Sequence, residues 1–203
     1  MEKTKVVIVG YGNIGHYALQ AVEAAEDMEL VGVVRHNAGA QQPKELAGIP
    51  VVDDVDKLPV KPQVALLCLP TRSVEENAKL YLAKGINTVD SFDTHARIPE
   101  YFAAMDQAAR ESGHLNLISC GWDPGLFSMI RLLAGACLPQ GNDYTFWGDG
   151  VSQGHSDAIR RVPGVAYAIQ YTRPYPEALD AVRSGTNPQL TTRQKHFREC
   201  FVV

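Results

Sequence analysis

Residues 1–120 alternate between two patterns of apolar positions. Short, nearly continuous apolar runs predict buried strands, and stretches with an apolar residue at every third or fourth position predict helices. Strands are predicted at residues 5–10, 29–34, 64–69, 87–92 and 115–120, with a short strand and loop within 52–62. Helices are predicted at residues 14–26, 73–85 and 99–112. This alternation is typical of βαβ units and predicts an α/β fold with a doubly wound parallel sheet.

Cap and turn residues support two of these helices. Ser73 and Glu76 have the S-x-x-E spacing of a capping box. Gly85 and Gly113 each follow a predicted helix at the position where a left-handed residue is favoured. We therefore expect Ser73 to cap the helix that begins at residue 73, and a glycine to end each helix.

The pattern changes after Asp123. Helices are predicted at residues 125–138, within 152–162 and at 176–185, and strands at 144–150, 165–172 and 195–203. The hairpin-like spacing of these strands predicts a second, α+β domain with an antiparallel sheet. We place the boundary between residues 122 and 123, so that the domains are 1–122 and 123–203. Because the chain stops within the predicted strand "CFVV", we expect the second domain to be incomplete.

Composition narrows the class of protein. The 203 residues are 45% hydrophobic and 21% charged, with a net charge of −4 and no Lys/Arg block, which argues against a nucleic-acid partner. No apolar run is long enough to span a bilayer, and the start does not resemble a signal peptide. The four cysteines are scattered and the histidines show no ligand spacing. We expect a cytoplasmic protein with reduced thiols, no metal and no membrane partner.

A glycine motif lies between the first strand and the first helix. The sequence "VIVGYGNIG" places Gly10, Gly12 and Gly15 in a G-x-G-x-x-G spacing. Those glycines permit a tight turn, close approach of a pyrophosphate and close packing of helix on strand, and the helix N-terminus then faces the phosphates. The motif in this position predicts a Rossmann-type dinucleotide-binding domain.

The end of the second strand bears on the choice between NAD and NADP. NAD-binding domains usually place Asp or Glu there to bond the ribose hydroxyls. This chain has Arg35 and His36 instead. An arginine can make charge-assisted bonds to a 2′-phosphate, so the sequence favours NADP, although a solvated strand-end charge is the alternative interpretation of Arg35.

Two aspartates lie where further strands end. Asp93 follows the predicted strand 87–92, and Asp123 follows the predicted strand 115–120. Ligands of doubly wound sheets bind at the carboxyl ends of the strands, so two carboxylates there suit an ammonium substrate, whose proton one of them could accept as hydride leaves. Taken singly, Asp123 could instead cap a helix and Asp93 could be a turn residue.

Several blocks together resemble the meso-diaminopimelate D-dehydrogenase family, over essentially the whole chain. They are "VGYGNIG", "DSFDTH", "GWDPGLFS", "TFWGDGVSQGHSDAIRRVPGV", "QYT" and "HFRECFVV". The resemblance implies NADP-dependent, reversible oxidative deamination of the D-centre of meso-2,6-diaminopimelate to L-2-amino-6-oxopimelate, which cyclises to tetrahydrodipicolinate, with release of ammonia. It also implies a cytoplasmic homodimer that serves lysine and cell-wall precursor synthesis.

The resemblance assigns roles to residues of this chain. The catalytic pair would be Asp93 and Asp123. The substrate-binding residues would be Trp122, Phe146, Gln153, Gly154, Asp157, Thr172 and Arg198, the last two on the distal carboxylate. The cofactor-binding residues would be Gly10, Tyr11, Gly12, Asn13, Ile14, Gly15, Arg35, His36, Leu69, Pro70, Thr71, Ser73, Ser91 and Phe92.

One departure from the family and two alternatives stay open. Family members continue past "CFVV", and the portion beyond supplies more of the substrate domain. The first alternative is another NADP-dependent reductase, such as dihydrodipicolinate reductase or homoserine dehydrogenase. The second is a non-catalytic NADP-binding protein, which would bind NADPH without turning over any amino acid.

Overall fold

Residues 2–203 are described by a computed structural model. Their contacts divide the chain into two compact units, of which the first ends at Leu132 and the second begins at Leu133. This division falls within one helix, Leu126–Cys137. The boundary at residues 122/123 that the sequence suggests stays a prediction.

The first unit contains one six-stranded parallel sheet. Its strands are β1 Thr4–Val9, β2 Met28–Val34, β3 Val51–Val52, β4 Val64–Leu67, β5 Asn87–Asp90 and β6 Asn116–Leu117. The helices of the unit are α1 Asn13–Ala24, α2 Thr71–Ala83, α3 Ile98–Ser112 and the first part of α4 Leu126–Cys137. The strand order β3-β2-β1-β4-β5-β6, with every pair parallel, confirms the doubly wound sheet.

The core lies on both faces of this sheet. Successive residues of a strand point to opposite faces, and β1 is buried on both. Val7 and Val9 belong to a cluster that includes side chains of α2 and α3, whereas Ile8 belongs to a second cluster with Leu19 of α1. The near-continuous apolar pattern of β1 therefore reflects burial between two helical layers.

Helix α2 corrects one local prediction. It begins at Thr71, two residues earlier than expected, and Pro70 occupies its N-cap position. The Ser73 hydroxyl donates to the Pro70 carbonyl at 2.9 Å, so Ser73 lies in the first turn and the predicted capping box is wrong. Serine inside a helix commonly bonds back to a preceding carbonyl in this way. The two C-terminal glycines, Gly85 and Gly113, have φ of +74° and +70° as predicted.

Strands β5 and β6 end earlier than the apolar pattern suggests. β5 ends at Asp90 and β6 at Leu117, because the Asp90 carboxylate accepts the backbone N–H groups of Phe92 and Ser119 and turns both chains out of the ladder. Ser119 has φ of +57°, outside the strand region. The residues that carry Asp93 and Asp123 therefore belong to loops at the carboxyl edge of the sheet.

The second unit is built around an antiparallel ladder, in agreement with the α+β expectation. Its elements are α5 Gln153–Arg160, β7 Ala168–Pro174, α6 Pro176–Arg183, the short α7 Thr192–Lys195 and β8 His196–Val202. β7 pairs with β8 from Ala168↔Val202 to Pro174↔His196. Helix α5 packs on β7, where the buried Ser156 hydroxyl accepts the backbone N–H of Gln170 at 2.8 Å.

The strand predicted at residues 144–150 is wrong. Within the described residues 2–203, that segment pairs with no strand, and only the next residue, Val151, forms an isolated bridge to Tyr171. Instead, the Trp147 backbone N–H donates to Nε2 of His196 at 2.8 Å. Gly148 and Gly150 interrupt the aromatic alternation, and glycine weakens a strand because it has no side chain to pack.

No helix within residues 2–203 combines the length and the apolar character that crossing a membrane requires.

Candidate active site

The glycine turn after β1 has the geometry that a dinucleotide needs. A Cβ added to Gly10, whose φ is +87°, would lie 2.5 Å from the Cys68 carbonyl oxygen. A Cβ on Gly15 would lie 2.4 Å from the Gly10 carbonyl oxygen, so both positions are closed to other residues. A Cβ on Gly12 would meet nothing within 4 Å. The first and third glycines thus serve the fold, and the second leaves open space at the N-terminus of α1, where a pyrophosphate fits.

The predicted cofactor residues gather at the point where the strand order reverses. β1 and β4 are neighbours from which the sheet extends in opposite directions, and this switch point is where doubly wound sheets bind nucleotides. Two groups of predicted residues flank it. They are Gly10, Tyr11, Gly12, Asn13, Ile14 and Gly15 after β1, and Leu69, Pro70, Thr71 and Ser73 after β4.

Ser91 and Phe92 follow β5, the next strand along the edge. The Phe92 ring is buried and stacks on Tyr101, with centroids 4.0 Å apart. The structure thus gives Phe92 a core position beneath the loop, and a contact of Ser91 or Phe92 with a cofactor stays a prediction.

Arg35 directly follows β2 and is held by a glutamine that the sequence reasoning missed. Its Nη1 donates to Oε1 of Gln42 at 3.2 Å, and the Gln42 amide donates to three carbonyl oxygens of the loop at residues 37–40. No ion pair joins Arg35 to a carboxylate among residues 2–203. Its charge is thus available to an anion, while His36 beside it is exposed.

Asp93 lies in the exposed loop after β5. The Thr71 hydroxyl, in the first turn of α2, donates to its Oδ1. This bond joins a residue predicted to contact the cofactor to a residue predicted to be catalytic. A neutral hydroxyl is the partner, so the negative charge of an ionised Asp93 is not cancelled by it.

Asp123 has a different environment. Its side chain is only 6% exposed and pairs with Arg131 of α4, whose Nη2 and Nη1 lie 2.6 and 3.2 Å from Oδ1 and Oδ2. The Ser128 hydroxyl lies 3.4 Å from Oδ1. Hydrogen bonding from Arg131, above all, holds the pKa of the Asp123 carboxyl below its usual value. Sequence reasoning missed Arg131, because eight positions separate the pair and α4 reads as an apolar helix.

The alternative of Asp123 as a helix cap is not supported. Helix α4 begins at Leu126, and the hydrogen bonds that the Asp123 carboxylate accepts within residues 2–203 come from the side chains of Ser128 and Arg131. The Asp123 carbonyl oxygen lies 3.3 Å from Nε2 of His95, which connects the Asp93 loop with the Asp123 loop.

Aromatic side chains surround the Asp123–Arg131 pair. Trp122 and Phe127 stack with centroids 5.4 Å apart and an interplanar angle of 5°. The Arg131 guanidinium lies 4.7 Å above the Phe127 ring, a cation–π distance. Trp122 is 58% exposed, so one face of the stack is free to contact a ligand.

The predicted substrate residues of the second unit lie on α5 and on the β7–β8 ladder. Gln153 and Gly154 begin α5, and Asp157, one turn later, is paired with Arg161. Thr172 and Arg198 are direct partners in the ladder, so their side chains share one face of the sheet.

Two histidines of the second unit were not predicted. The Phe146 ring lies 5.5 Å from that of His196, and Nδ1 of His155 lies 2.6 Å from the Ser152 hydroxyl. Burial lowers the pKa of both histidines, with Arg198 adding to the effect at His155 and Lys195 at His196.

No group of three or more His, Cys, Asp or Glu side chains suitable for a metal ion occurs within residues 2–203.

The chain is similar to proteins of known activity along its whole length. Residues 121–203 match the family model described as the diaminopimelic acid dehydrogenase C-terminal domain, and residues 1–93 match a CoA binding domain. The meso-diaminopimelate D-dehydrogenases of Ureibacillus thermosphaericus and Lysinibacillus sphaericus are 52% and 50% identical over all of this chain. The chain spans 63% of the length of each.

Solved structures agree. The C. glutamicum DAP dehydrogenase in complex with DAP matches all of this chain and 62% of its own, with a TM-score of 0.86 and 42% identity. An engineered D-amino acid dehydrogenase bound to NADP+ matches 98% of this chain and 62% of its own, with a TM-score of 0.84 and 40% identity. Since identity and fold agree from one end of the chain to the other, the chain belongs to the meso-diaminopimelate dehydrogenase family.

Proposed function

We propose that this chain carries the NADP site and the reacting-centre carboxylates of a meso-diaminopimelate dehydrogenase. The reaction is the reversible oxidative deamination of the D-centre of meso-2,6-diaminopimelate, which yields L-2-amino-6-oxopimelate and ammonia. The observation that carries the proposal is the Thr71–Asp93 hydrogen bond, because it places a carboxylate beside the switch point where a dinucleotide fits. The printed activity of the relatives supports it.

The residues at the switch point fit NADP. The open space at Gly12 and the N-terminus of α1 suit a pyrophosphate, and Arg35, held by Gln42 without an ion pair among the described residues, suits a 2′-phosphate. NADP, when bound, accepts the hydride that leaves the D-carbon. The NADP+ in the engineered D-amino acid dehydrogenase supports this choice.

The two aspartates divide the work on the amino group. Loss of hydride from carbon and of a proton from the ammonium nitrogen leaves an iminium group, which water converts to the oxo acid and ammonium. Asp93, with a neutral hydroxyl as partner, takes the proton. Hydrogen bonding from Arg131 lowers the pKa of Asp123 and so keeps its carboxylate ionised, and Asp123 serves to hold and orient the ammonium group.

The second unit supplies residues that bind the substrate carboxylate farthest from the reacting carbon. Thr172 and Arg198 share a face of the β7–β8 ladder, where a hydroxyl and a planar guanidinium together suit a carboxylate. Gln153, Gly154 and Asp157 add polar groups from α5, and Phe146 adds an aromatic side chain in the same unit. In the first unit, Trp122 adds an aromatic side chain beside Asp123. A requirement for this second carboxylate would separate meso-diaminopimelate from simple D-amino acids.

We also propose a cytoplasmic homodimer, as the family resemblance implies. The four cysteines are free thiols, which accords with a reducing compartment.

The test is NADP reduction by this chain with meso-diaminopimelate, with the LL isomer and NAD as controls. We expect turnover with the meso isomer and NADP only. Asp93→Asn should abolish turnover and leave NADPH affinity nearly intact, and Asp123→Asn should do the same. If the chain binds NADPH but turns over no amino acid, the alternative of a non-catalytic NADP-binding chain is correct. Equal loss of turnover and NADPH affinity in Asp123→Asn would make Asp123 structural.

A further inference from the structure

A buried carboxylate that the proposed chemistry does not use ends β5. Asp90 is only 3% exposed. Its two oxygens accept four hydrogen bonds, from Phe92 N, Ser119 N, the Tyr101 hydroxyl and the Asn116 amide. A carboxylate that only accepts bonds has room for about four donors, so this one is fully occupied.

Asp90 joins the two loops that carry the candidate catalytic aspartates. Its Oδ1 accepts the N–H of Phe92 at 2.9 Å, one residue before Asp93. The same oxygen accepts the N–H of Ser119 at 3.1 Å, and the Asp90 carbonyl oxygen accepts the N–H of Cys120 at 2.7 Å. One residue therefore fixes the start of both loops.

Tyr101 of α3 contacts both Asp90 and Phe92. Its hydroxyl donates to Oδ2 of Asp90 at 2.6 Å, and its ring stacks on Phe92 at an interplanar angle of 14°. Burial and the Asp90 carboxylate raise the pKa of the Tyr101 hydroxyl, which keeps it a donor. Asn116 holds the other side, with its amide 2.6 Å from the Thr88 hydroxyl and 3.3 Å from Oδ2.

The backbone at Ser119 shows what the Asp90 bond holds in place. Ser119 has φ of +57°, a left-handed conformation that is strained for a residue other than glycine. That conformation directs its N–H towards Asp90 and sends the chain on towards Trp122 and Asp123. Without the Asp90 carboxylate as acceptor, no hydrogen bond to the Ser119 N–H would offset the strain of this conformation.

We infer that Asp90 is the positioning residue that sets the Asp93 and Asp123 loops at one level of the sheet edge. The inference rests on the proposed function for its consequence in catalysis, but the anchoring itself concerns only residues of the first unit. It assigns Tyr101 a secondary role, since Tyr101 orients both the Asp90 carboxylate and Phe92.

Hydrogen exchange of backbone amides tests the anchoring without turnover. In Asp90→Ala, the Oδ1 that accepts both loop N–H groups is removed, so we expect exchange at Phe92 and Ser119 to accelerate by at least about tenfold, with the amides of β1 unchanged. Thr88→Val is the matched control, because it removes a buried hydroxyl of the same strand that bonds Asn116 but neither loop. Unchanged exchange at Phe92 and Ser119 in Asp90→Ala would overturn the inference.

Kinetics test the positioning role. We expect Asp90→Ala and Tyr101→Phe to lower kcat strongly while the KM for NADP stays near its original value, and Thr88→Val to change neither. Faster loop exchange with an unchanged kcat would limit Asp90 to a structural role and refute the positioning. If the unmodified chain shows no turnover, the proposed function has failed, and the exchange data alone decide the anchoring. Tyr101→Phe keeps both tests available if Asp90→Ala does not fold.

Discussion

At the scale of single residues, two glycines of the turn after β1 have different roles: the fold requires Gly10, whereas we expect cofactor binding to require Gly12. Gly12 has φ of −106° and ψ of −153°, a conformation open to L-residues, and the space around its missing Cβ is empty. Gly10, by contrast, has a positive φ of +87° and no room for a Cβ. We expect Gly12→Ala to leave the Tm nearly unchanged and to weaken NADPH binding at least tenfold (about 1.4 kcal/mol). Gly10→Ala should instead lower the Tm markedly. Calorimetry with NADPH titration checks both, and a large fall in Tm for Gly12→Ala would contradict the assignment.

Arg131 sets the properties of Asp123 at the same scale. Arg131→Met would leave a carboxylate that is 6% exposed without its cation, so we expect the free energy of unfolding to fall by roughly 2 kcal/mol. The pKa of Asp123 should rise towards its usual value, because hydrogen bonding from Arg131 is the main cause of its depression. Urea denaturation and NMR titration of the carboxyl measure the two effects. Arg131→Lys keeps the positive charge but not the two-nitrogen hydrogen bonding, so its stability and its Asp123 pKa should lie between those of the original chain and of Arg131→Met. An Asp123 pKa that is unchanged in Arg131→Met would refute the pairing.

At the scale of elements, the second unit should be sensitive to acid. Nε2 of His196 accepts the Trp147 N–H and therefore must be unprotonated, and burial lowers the pKa of this histidine below its usual 6.5. The stabilisation is complete above the unfolded pKa of about 6.5 and is lost as the pH falls through the lower, folded value. We expect the free energy of unfolding to decline over that range. His196→Gln, which cannot titrate, should flatten the decline, apart from the contribution of the same sign from His155.

The elements also show what the sequence could predict. The βαβ order and the left-handed glycines after α2 and α3 could be predicted, because apolar spacing and glycine at a helix end act locally. The capping box at Ser73 and the strand at residues 144–150 were wrong, since the preceding Pro70 began α2 earlier and the aromatic segment has no ladder partner within residues 2–203. The tight turn between β1 and α1 could be predicted from the glycine motif. Arg131, Gln42 and Asp90 could not, because their roles depend on contacts between distant segments.

At the scale of the whole molecule, α4 presents an unusual surface. Leu126, Met129, Ile130 and Leu133 recur at the three- and four-residue spacing of one helix face, and each is 45–67% exposed. An amphipathic helix normally buries such a stripe, and exposed apolar patches mark contact surfaces. We expect the 203-residue chain to self-associate with rising concentration and to bind a hydrophobic dye. Met129→Lys with Leu133→Glu should reduce both, measured by light scattering and dye fluorescence, with NADPH binding retained. If that variant self-associates as strongly as the original chain, the surface responsible is not this face of α4.

The strand order of the sheet has a consequence for how the chain folds. β1 is flanked by β2 and β4, and each of its parallel partners is reached only after a crossover. No two neighbouring strands of this sheet can form a hairpin, so every pairing requires closure of a long loop before any ladder bond is made. We therefore expect refolding of the first unit to be slow. We also expect the glycine turn after β1 to become ordered only when β4 pairs with β1, since Gly10 packs on Cys68, which directly follows β4. We therefore expect the nucleotide site to form only after β1 has paired with β4, although its motif lies near the start of the chain.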